Sequence, residues 1–153
     1  PVFIHALNWL KGNENYEPDI VLNLRPTSPL RQSDDINIVI KKMIETNCDS
    51  IRTICKTKHH PYWMKKIVGD KLLPFIEGKD EMEYYQRQLL PPVYHINGAV
   101  DGLRAKLILN NGNMYGEDIR GIIMPIKRSI EIDYELDFKL AELLLKEFLR
   151  KDE

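Results

Sequence analysis

Residues 19–31, DIVLNLRPTSPLR, bring chemically capable side chains directly after an apolar segment. Pro26 and Pro29 fix the backbone angle φ and cannot continue a strand ladder, so the chain must turn here. The turn carries four side chains that can bind phosphate, carboxylate or sugar oxygens: Arg25, Thr27, Ser28 and Arg31. We interpret it as a candidate binding site at the end of a strand, as α/β enzymes often have. The alternative is an ordinary loop that leads into the next helix.

The segments around this turn alternate between helix and strand. Residues 19–25 are apolar almost without interruption, which is typical of a strand with helices on both faces, and we expect this strand to be central. Residues 1–11 have the pattern of a helix that ends at Gly12. A second helix is expected over residues 33–46 and a second strand over residues 49–56. This alternation predicts a doubly wound α/β sheet.

The second half of the chain continues this organisation after an interruption. Residues 59–92 consist of short apolar pieces and polar turns, which we interpret as an excursion from the sheet. Residues 94–100 and 121–126 are predicted strands. The last helix is expected over residues 134–150, with Asp133 as its cap. Its predicted inner face consists of Leu136, Leu140, Leu143, Leu144 and Phe148.

Composition excludes several classes of protein. The chain has 22 basic and 23 acidic residues and a net charge of -1, so no strong field attracts a nucleic-acid backbone. No apolar run approaches the roughly 20 residues that cross a bilayer, so we expect a soluble protein and no membrane partner. Two cysteines without CxxC spacing and the lack of a secretory signal favour the cytoplasm.

Separate motifs across the chain resemble those of one known family. These motifs are LRPTSPLR at residues 24–31, RQLLP at 87–91, NGAV at 97–100 and SIEID at 129–133. They are similar to LQPTSPLR, RQxLP, NGAIY and SIDID of the CMP-sialic acid synthetases, the N-acylneuraminate cytidylyltransferases and their relatives for other nonulosonic acids. The resemblance implies a Rossmann-like nucleotidyltransferase fold, a three-layer α/β sandwich with a mostly parallel sheet. Residues 1–153 would form a single, partial domain of this kind.

The resemblance also implies a reaction. A hydroxyl group of an acidic nine-carbon sugar would attack the α-phosphate of CTP, and pyrophosphate would leave. The implied cofactor is Mg²⁺ or Mn²⁺, which balances the developing charge. The implied assembly is a homodimer, with residues 59–92 as the excursion through which subunits meet.

Particular residues match the family's functional positions. Glu131 and Asp133 correspond to the paired acids that bind metal and act in catalysis, and in an extended segment they project to the same side. The alternative is that Asp133 only caps the last helix while Glu131 faces solvent. The implied substrate-binding residues are Arg25, Thr27, Ser28, Arg31, Arg87, Gln88, Asn97, Met114 and Tyr115. Asn97 can instead belong to a strand-edge bulge, and Met114 and Tyr115 can equally be core.

Four positions depart from the family's pattern. Arg25 stands where sialic acid enzymes commonly have Gln, and Asp101 stands in the place of the tyrosine of NGAIY. Glu131 is one methylene longer than the usual Asp, and Trp63 takes the place of a frequent lysine. The acidic sugar is therefore open among N-acetylneuraminate, legionaminic, pseudaminic and related acids.

The family's glycine-containing, basic phosphate loop has no counterpart in this sequence. We therefore expect the first βα units of the fold to be missing and a parallel sheet to have an open apolar edge. Two alternatives remain beside the cytidylyltransferase. One is a non-catalytic fragment or remnant that keeps a sugar-binding or assembly surface. The other is a different sugar-nucleotide transferase, such as a CMP-ketodeoxyoctonate synthetase.

Overall fold

The computed structural model describes residues 1–79, 81–111 and 113–149. These residues form two compact units, one from Pro1–Cys55 with the described residues from Ile96 onward, and one from Lys56–His95. The helices are α1 (Val2–Glu14), α2 (Ser33–Thr46), α3 (Ala105–Asn111) and α4 (Glu135–Leu149). The strands are β1 (Ile20–Asn23), β2 (Ser50–Lys56), β3 (Lys65–Val68), β4 (Lys71–Pro74), β5 (Tyr94–Arg104) and β6 (Ile119–Ile123).

The first unit is built on a mixed sheet with the strand order β1-β5-β2-β6. β1 pairs antiparallel with β5, from Ile20 opposite Arg104 to Asn23 opposite Asp101, whereas β2 and β6 are parallel. Between β5 and β2, the amide of Arg104 donates to the carbonyl of Asp49. The predicted Rossmann-like α/β fold with a mostly parallel sheet is confirmed.

The expected central position of the first strand is wrong. Within the described residues β1 lies at the edge of the sheet and pairs with β5 alone. Its four residues are all half-buried. An uninterrupted apolar run indicates that helices cover both faces of a strand. It does not indicate how many neighbouring strands pair with that strand.

Helices pack on both faces of this sheet. One apolar cluster joins α2 to the sheet and contains Val39, Met43, Cys48, Ile51 and Val100. Gly102 makes this packing close, since a Cβ there would lie 2.5 Å from the sulfur of Met43. The other cluster joins α1 and α3 to the opposite face and contains Leu7, Leu103, Ala105 and Ile108. Helix, sheet and helix therefore form the three expected layers.

The predicted end of α1 differs from the structure, whereas the bounds of α2 agree with the prediction. α1 continues through Gly12 and ends at Asn15, whose φ of 50° is left-handed and whose amide donates to the carbonyl of Leu10. Glycine inside a helix costs only about 1 kcal/mol relative to alanine, and asparagine tolerates the left-handed cap. α2 has the predicted bounds, but its N-cap is Gln32, which forms a capping box with Asp35.

The predicted inner face of α4 is largely wrong. Leu136, Leu140 and Leu143 are exposed, and Ala141 is the buried residue of this helix. α4 begins one residue later than predicted, and Arg150 lies outside the described residues. Periodicity finds an apolar face but does not tell whether the rest of the fold reaches it.

The second unit contains a hairpin of β3 and β4, in which Val68 pairs with Lys71 around the Gly69–Asp70 turn. Gly69 has a φ of +66°, which glycine adopts without strain. Several apolar side chains of this unit are strongly exposed, among them Ile67 at 74%, Leu72 at 65% and Phe75 at 60%. In the described part of the chain, no helix has the length and apolar character that crossing a membrane requires.

Candidate active site

The turn after β1 is held tightly to the sheet. The amide of Ser28 donates to the carbonyl of Arg25, and the Ser28 hydroxyl donates to the carbonyl of Asn97 at 3.2 Å. Arg31 donates from Nη1 to two carbonyl oxygens, that of Arg25 at 3.2 Å and that of Ala99 at 2.7 Å. Ser28 and Arg31 therefore fix the shape of the turn, and their predicted contact with substrate stays a prediction.

Three residues from distant parts of the chain meet at the end of β1. Arg25 Nη1 lies 3.0 Å from Glu131 Oε1, in an ion pair whose side chains are 38% and 30% exposed. Gly98 lies against both, since a Cβ there would be 2.9 Å from Arg25 Cδ and 3.1 Å from Glu131 Oε1. We call Arg25, Gly98 and Glu131 the strand-end site. Its partly exposed charges are available to a ligand.

The segment that carries Glu131 is anchored on both sides. The amide of Ile132 donates to the carbonyl of Thr27 at 2.8 Å, which ties the segment to the turn after β1. Further upstream, Arg128 forms an ion pair with the buried carboxylate of Asp35 at the start of α2, at 3.0 Å. These anchors give Glu131 a defined position beside Arg25.

Asn97, the residue before Gly98, is buried, with 1% of its surface exposed, and its side chain forms hydrogen bonds to two other segments. Its Oδ1 accepts from the hydroxyl of Thr53 at 2.7 Å, and its Nδ2 donates to the hydroxyl of Ser129 at 2.9 Å. The side chain thus joins β2 and β5 to the segment before Glu131. Its predicted contact with sugar hydroxyls stays a prediction, because in this structure the amide is occupied by protein partners.

Asp133 does not cap α4 as predicted. The carboxylate of Asp137 performs this role, since its Oδ2 accepts from the amide of Tyr134 at 2.9 Å and from that of Asp133 at 3.2 Å. An acid at the third position of a helix commonly closes the helix start in this way. Asp133 is exposed and lies two residues after Glu131 in the chain.

The candidate ligands of a divalent cation are two acidic residues. Glu131 and Asp133 supply the carboxylate oxygens that Mg²⁺ and Mn²⁺ prefer. Across residues 1–79, 81–111 and 113–149, no group of three or more His, Cys, Asp or Glu is arranged to hold a metal. Mg²⁺ is usually held by one or two carboxylates together with water and substrate phosphate, so the chemistry of these two residues fits such a role.

Met114 and Tyr115 pack against the apolar cluster between α1, α3 and the sheet. This position agrees with the alternative interpretation that they are core residues. The loop that follows them is fixed by Asp49, whose Oδ2 accepts from the amides of Glu117 and Asp118 at 2.9 and 3.1 Å. These amides lower the pKa of the Asp49 carboxyl below its ordinary value. The contact of Met114 and Tyr115 with a sugar stays a prediction.

Arg87 and Gln88 belong to the second unit, in a short 3-10 helix at Arg87–Leu89. The guanidinium of Arg87 lies 6.0 Å from the ring centre of Trp63, the residue that replaces a frequent lysine of the family. This stacking gives Arg87 a partner within its own unit. The expected role of Arg87 and Gln88 in substrate binding stays a prediction.

Sequence analysis missed a polar row on the sheet. The fully buried Asp101 of β5 accepts from Arg52 Nε of β2 at 3.1 Å and from Asn23 Nδ2 of β1 at 3.4 Å. Arg52 also stacks on the ring of Tyr115, with 4.4 Å from Cζ to the ring centre. An acid inside an apolar strand was the available signal, because a buried carboxylate requires a cationic partner.

Comparison with known proteins found no matching family model. The chain is 27% identical over 150 residues to post-translational flagellin modification protein B of Campylobacter coli, covering 96% of this chain and 61% of that protein. It is 29% identical over 129 residues to CMP-N,N'-diacetyllegionaminic acid synthase of Legionella pneumophila, covering 84% of this chain and 54% of that protein. These similarities support the resemblance of the chain to the CMP-sialic acid synthetase family.

This relationship to the CMP-sialic acid synthetases covers only part of the relatives, since the chain spans 61% and 54% of their lengths. A solved structure, 4-diphosphocytidyl-2C-methyl-D-erythritol synthase of Anaerococcus prevotii, matches the fold with a TM-score of 0.55. The match covers 90% of this chain and 64% of that structure at 16% identity. The two chains thus share their fold.

Proposed function

We propose that this chain provides the sugar-binding and metal-binding part of a cytidylyltransferase that activates an acidic nine-carbon sugar with CTP. The observation that carries the proposal is the strand-end site, where Arg25 and Glu131 form an ion pair against Gly98. A relative named CMP-N,N'-diacetyllegionaminic acid synthase supports the reaction type. We take N,N'-diacetyllegionaminic acid as the first substrate to test, with N-acetylneuraminate as the second.

The residues of the chain act in this proposal through charge and position. Arg25 supplies a cation for an anionic oxygen of the substrates, and Glu131 holds its guanidinium in place. The exposed Asp133 and the second oxygen of Glu131 would hold Mg²⁺ or Mn²⁺. When bound, that ion would balance charge on the phosphates as pyrophosphate leaves.

Gly98 allows the side chains of Arg25 and Glu131 to lie close to the backbone of β5. Its φ of +63° and the 2.9 Å approach of Arg25 both disfavour a larger residue. Thr27 lies between the two arginines of the turn, and its carbonyl holds the segment of Glu131. Such a preorganised set favours reactions that depend on positioning and electrostatics rather than on a covalent enzyme intermediate.

We further propose a homodimer that forms through the second unit. Its hairpin exposes Ile67 and Leu72, and apolar patches of this kind mark interaction surfaces. Because the reaction consumes CTP, we place the protein in the cytoplasm, where nucleotides are made and used.

Pyrophosphate release tests the proposed reaction. The assay uses Mg²⁺, CTP and each of three sugars: N,N'-diacetyllegionaminic acid, N-acetylneuraminate and ketodeoxyoctonate. It is run on this chain and on the full translated reading frame in which the chain occurs. We expect release with a nonulosonic acid and CTP, little release with UTP, and loss of release in Glu131→Gln.

Two results would contradict the proposal. Release with ketodeoxyoctonate alone would favour the other sugar-nucleotide transferase. Sugar binding without any pyrophosphate release from either protein would favour a non-catalytic sugar-binding role. Binding is measured separately by isothermal titration calorimetry, so that the two results are told apart.

A further inference from the structure

The polar row of Asn23, Asp101 and Arg52 interrupts an otherwise apolar face of the sheet. On the same face, Val21 and Leu103 pack against the residues of α1 and α3. Asn23 lies opposite Asp101, and Val21 lies opposite Leu103. Because side chains along a strand alternate between the two faces, Val21 and Asn23 lie on the same face. This face therefore changes from apolar to polar within two residues, toward the end of β1 that precedes Arg25.

Burying a charged pair on this face is energetically less favourable than continuing the apolar packing of the sheet. Asp101 is fully buried, and the side chain of Arg52 is only 17% exposed. Buried ion pairs seldom stabilise a fold more than apolar residues of similar size would. A function of the exposed part of Arg52 therefore explains the Asp101–Arg52 pair better than a contribution to stability does.

The contacts of Arg52 leave the terminal nitrogens of its guanidinium for a ligand. Nε donates to Asp101 and the plane of the guanidinium stacks on Tyr115, so both the direction and the tilt of the group are set. The terminal nitrogens carry four further N–H donors in a fixed fork, which matches the oxygens of a carboxylate or phosphate. Asn23 donates to the other oxygen of Asp101 and holds that carboxylate in place.

We propose that Arg52 binds an anionic oxygen of one of the two substrates, the carboxylate of the sugar or a phosphate of the nucleotide. This inference rests on the proposed function. Asn23, the member of the row on β1, is two residues before Arg25 in the chain, which corresponds to about 7 Å of extended backbone. Asp101 and Tyr115 are positioning residues that aim the guanidinium, and Arg52 makes the contact.

The test compares ligand binding by Arg52→Gln with that of the wild type, using calorimetry. The ligands are N,N'-diacetyllegionaminic acid, N-acetylneuraminate, the methyl ester of N-acetylneuraminate, and CTP. The control is Arg120→Gln on β6, which removes an arginine that forms an exposed ion pair with Asp118 at 2.8 Å. Circular dichroism and thermal unfolding check that each variant is folded.

We expect Arg52→Gln to raise the dissociation constant of one substrate about 10- to 100-fold, as expected for loss of a charged hydrogen bond. If the sugar is the one affected, the carboxylate is the partner, and the variant also loses the preference for the acid over its ester. If CTP is the one affected, the partner is a phosphate. We expect Arg120→Gln to bind both substrates as the wild type does.

Equal affinities of Arg52→Gln and the wild type for both substrates would overturn the inference while leaving the proposed function intact. Binding without turnover would contradict the proposed function but not the contact made by Arg52. Absence of binding in the wild type would contradict both. Should Arg52→Gln not fold, Arg52→Lys keeps the positive charge beside Asp101 but removes the planar fork, and the same shift is expected.

Discussion

The guanidinium of Arg25 and the carboxylate of Glu131 are 106 residues apart in the chain and lie 3.0 Å apart in the structure. The pair is partly exposed, so it contributes only about 0–1 kcal/mol to the free energy of unfolding. Its position beside Gly98, rather than its strength, is what makes it a candidate for function.

Glu131→Gln should lower turnover by about 100-fold or more, as loss of one preorganised charged group typically does. The free energy of unfolding should change little, because the pair is exposed to solvent. Pyrophosphate release and urea denaturation measure the two effects. Glu135→Gln breaks an exposed pair with Lys139 and serves as the control with normal turnover. A large loss of stability in Glu131→Gln would show that the pair is mainly structural.

Asp133→Ala and Asp137→Ala should separate metal binding from helix capping. Asp133→Ala should raise the Mg²⁺ concentration for half-maximal turnover by more than about tenfold, since loss of even an outer-shell partner typically costs that much. Asp137→Ala should instead lower the free energy of unfolding by about 0.5–2 kcal/mol, because it removes the acceptor for two amides at the start of α4. An unchanged Mg²⁺ requirement in Asp133→Ala would remove the metal role from this residue.

Gly98→Ala should weaken both the fold and the site. A φ of +63° disfavours alanine by about 1–2 kcal/mol. The new methyl group would also displace Arg25, so affinity for the sugar acid should fall with stability. Gly12→Ala is the matched control, since nothing lies within 4 Å of a Cβ there. That change should stabilise α1 by about 0.5–1 kcal/mol, and urea denaturation with calorimetry reports both variants.

Asp49 should make the stability of the 115–118 loop depend on pH. The backbone amides of Asp118 and Glu117 lower the pKa of its carboxyl in the folded protein. A lowered pKa contributes stability that is fully present above the unfolded value of about 4 and is lost as pH falls through the folded value. We therefore expect wild type and Asp49→Asn to differ at pH 7 and to converge below about pH 4.

Amide hydrogen exchange at Glu117 and Asp118, followed by NMR, measures this effect locally. Faster exchange in Asp49→Asn at neutral pH is the expected result. The pKa of Asp118 is also lowered, by its bond to Arg120, so Asp118→Asn is compared in parallel. Equal exchange rates in Asp49→Asn and the wild type at pH 7 would contradict the prediction.

The exposed hairpin should control assembly. Ile67→Glu and Leu72→Glu place charges on side chains that are 74% and 65% exposed, so the free monomer should remain folded. Both variants should be monomeric by light scattering at micromolar concentration, where we expect the wild type to be a dimer. Lys71→Glu, on the same hairpin, changes charge without removing apolar surface and should remain dimeric. A monomeric wild type would contradict the proposed assembly.

Local sequence patterns predicted the elements of the first unit well. The bounds of α2 and the positions of β1, β2 and β5 follow from apolar periodicity and turn residues, which act over a few neighbouring positions. The end of α1 was missed because the left-handed Asn15 closes it rather than Gly12. α3 was not predicted, since its seven residues are too short to show a periodic pattern.

The sequence by itself determined that this chain carries an arginine- and hydroxyl-rich turn after a strand and that its motifs resemble those of the CMP-sialic acid synthetases. Only the tertiary structure decided that β1 lies at the edge, that Glu131 meets Arg25, and that Asp101 is neutralised by Arg52. The physical reason is the distance along the chain over which each kind of interaction acts. Periodicity and turn chemistry act between residues close in the chain, whereas Arg52 and Asp101 are 49 positions apart and meet only through the order of the strands.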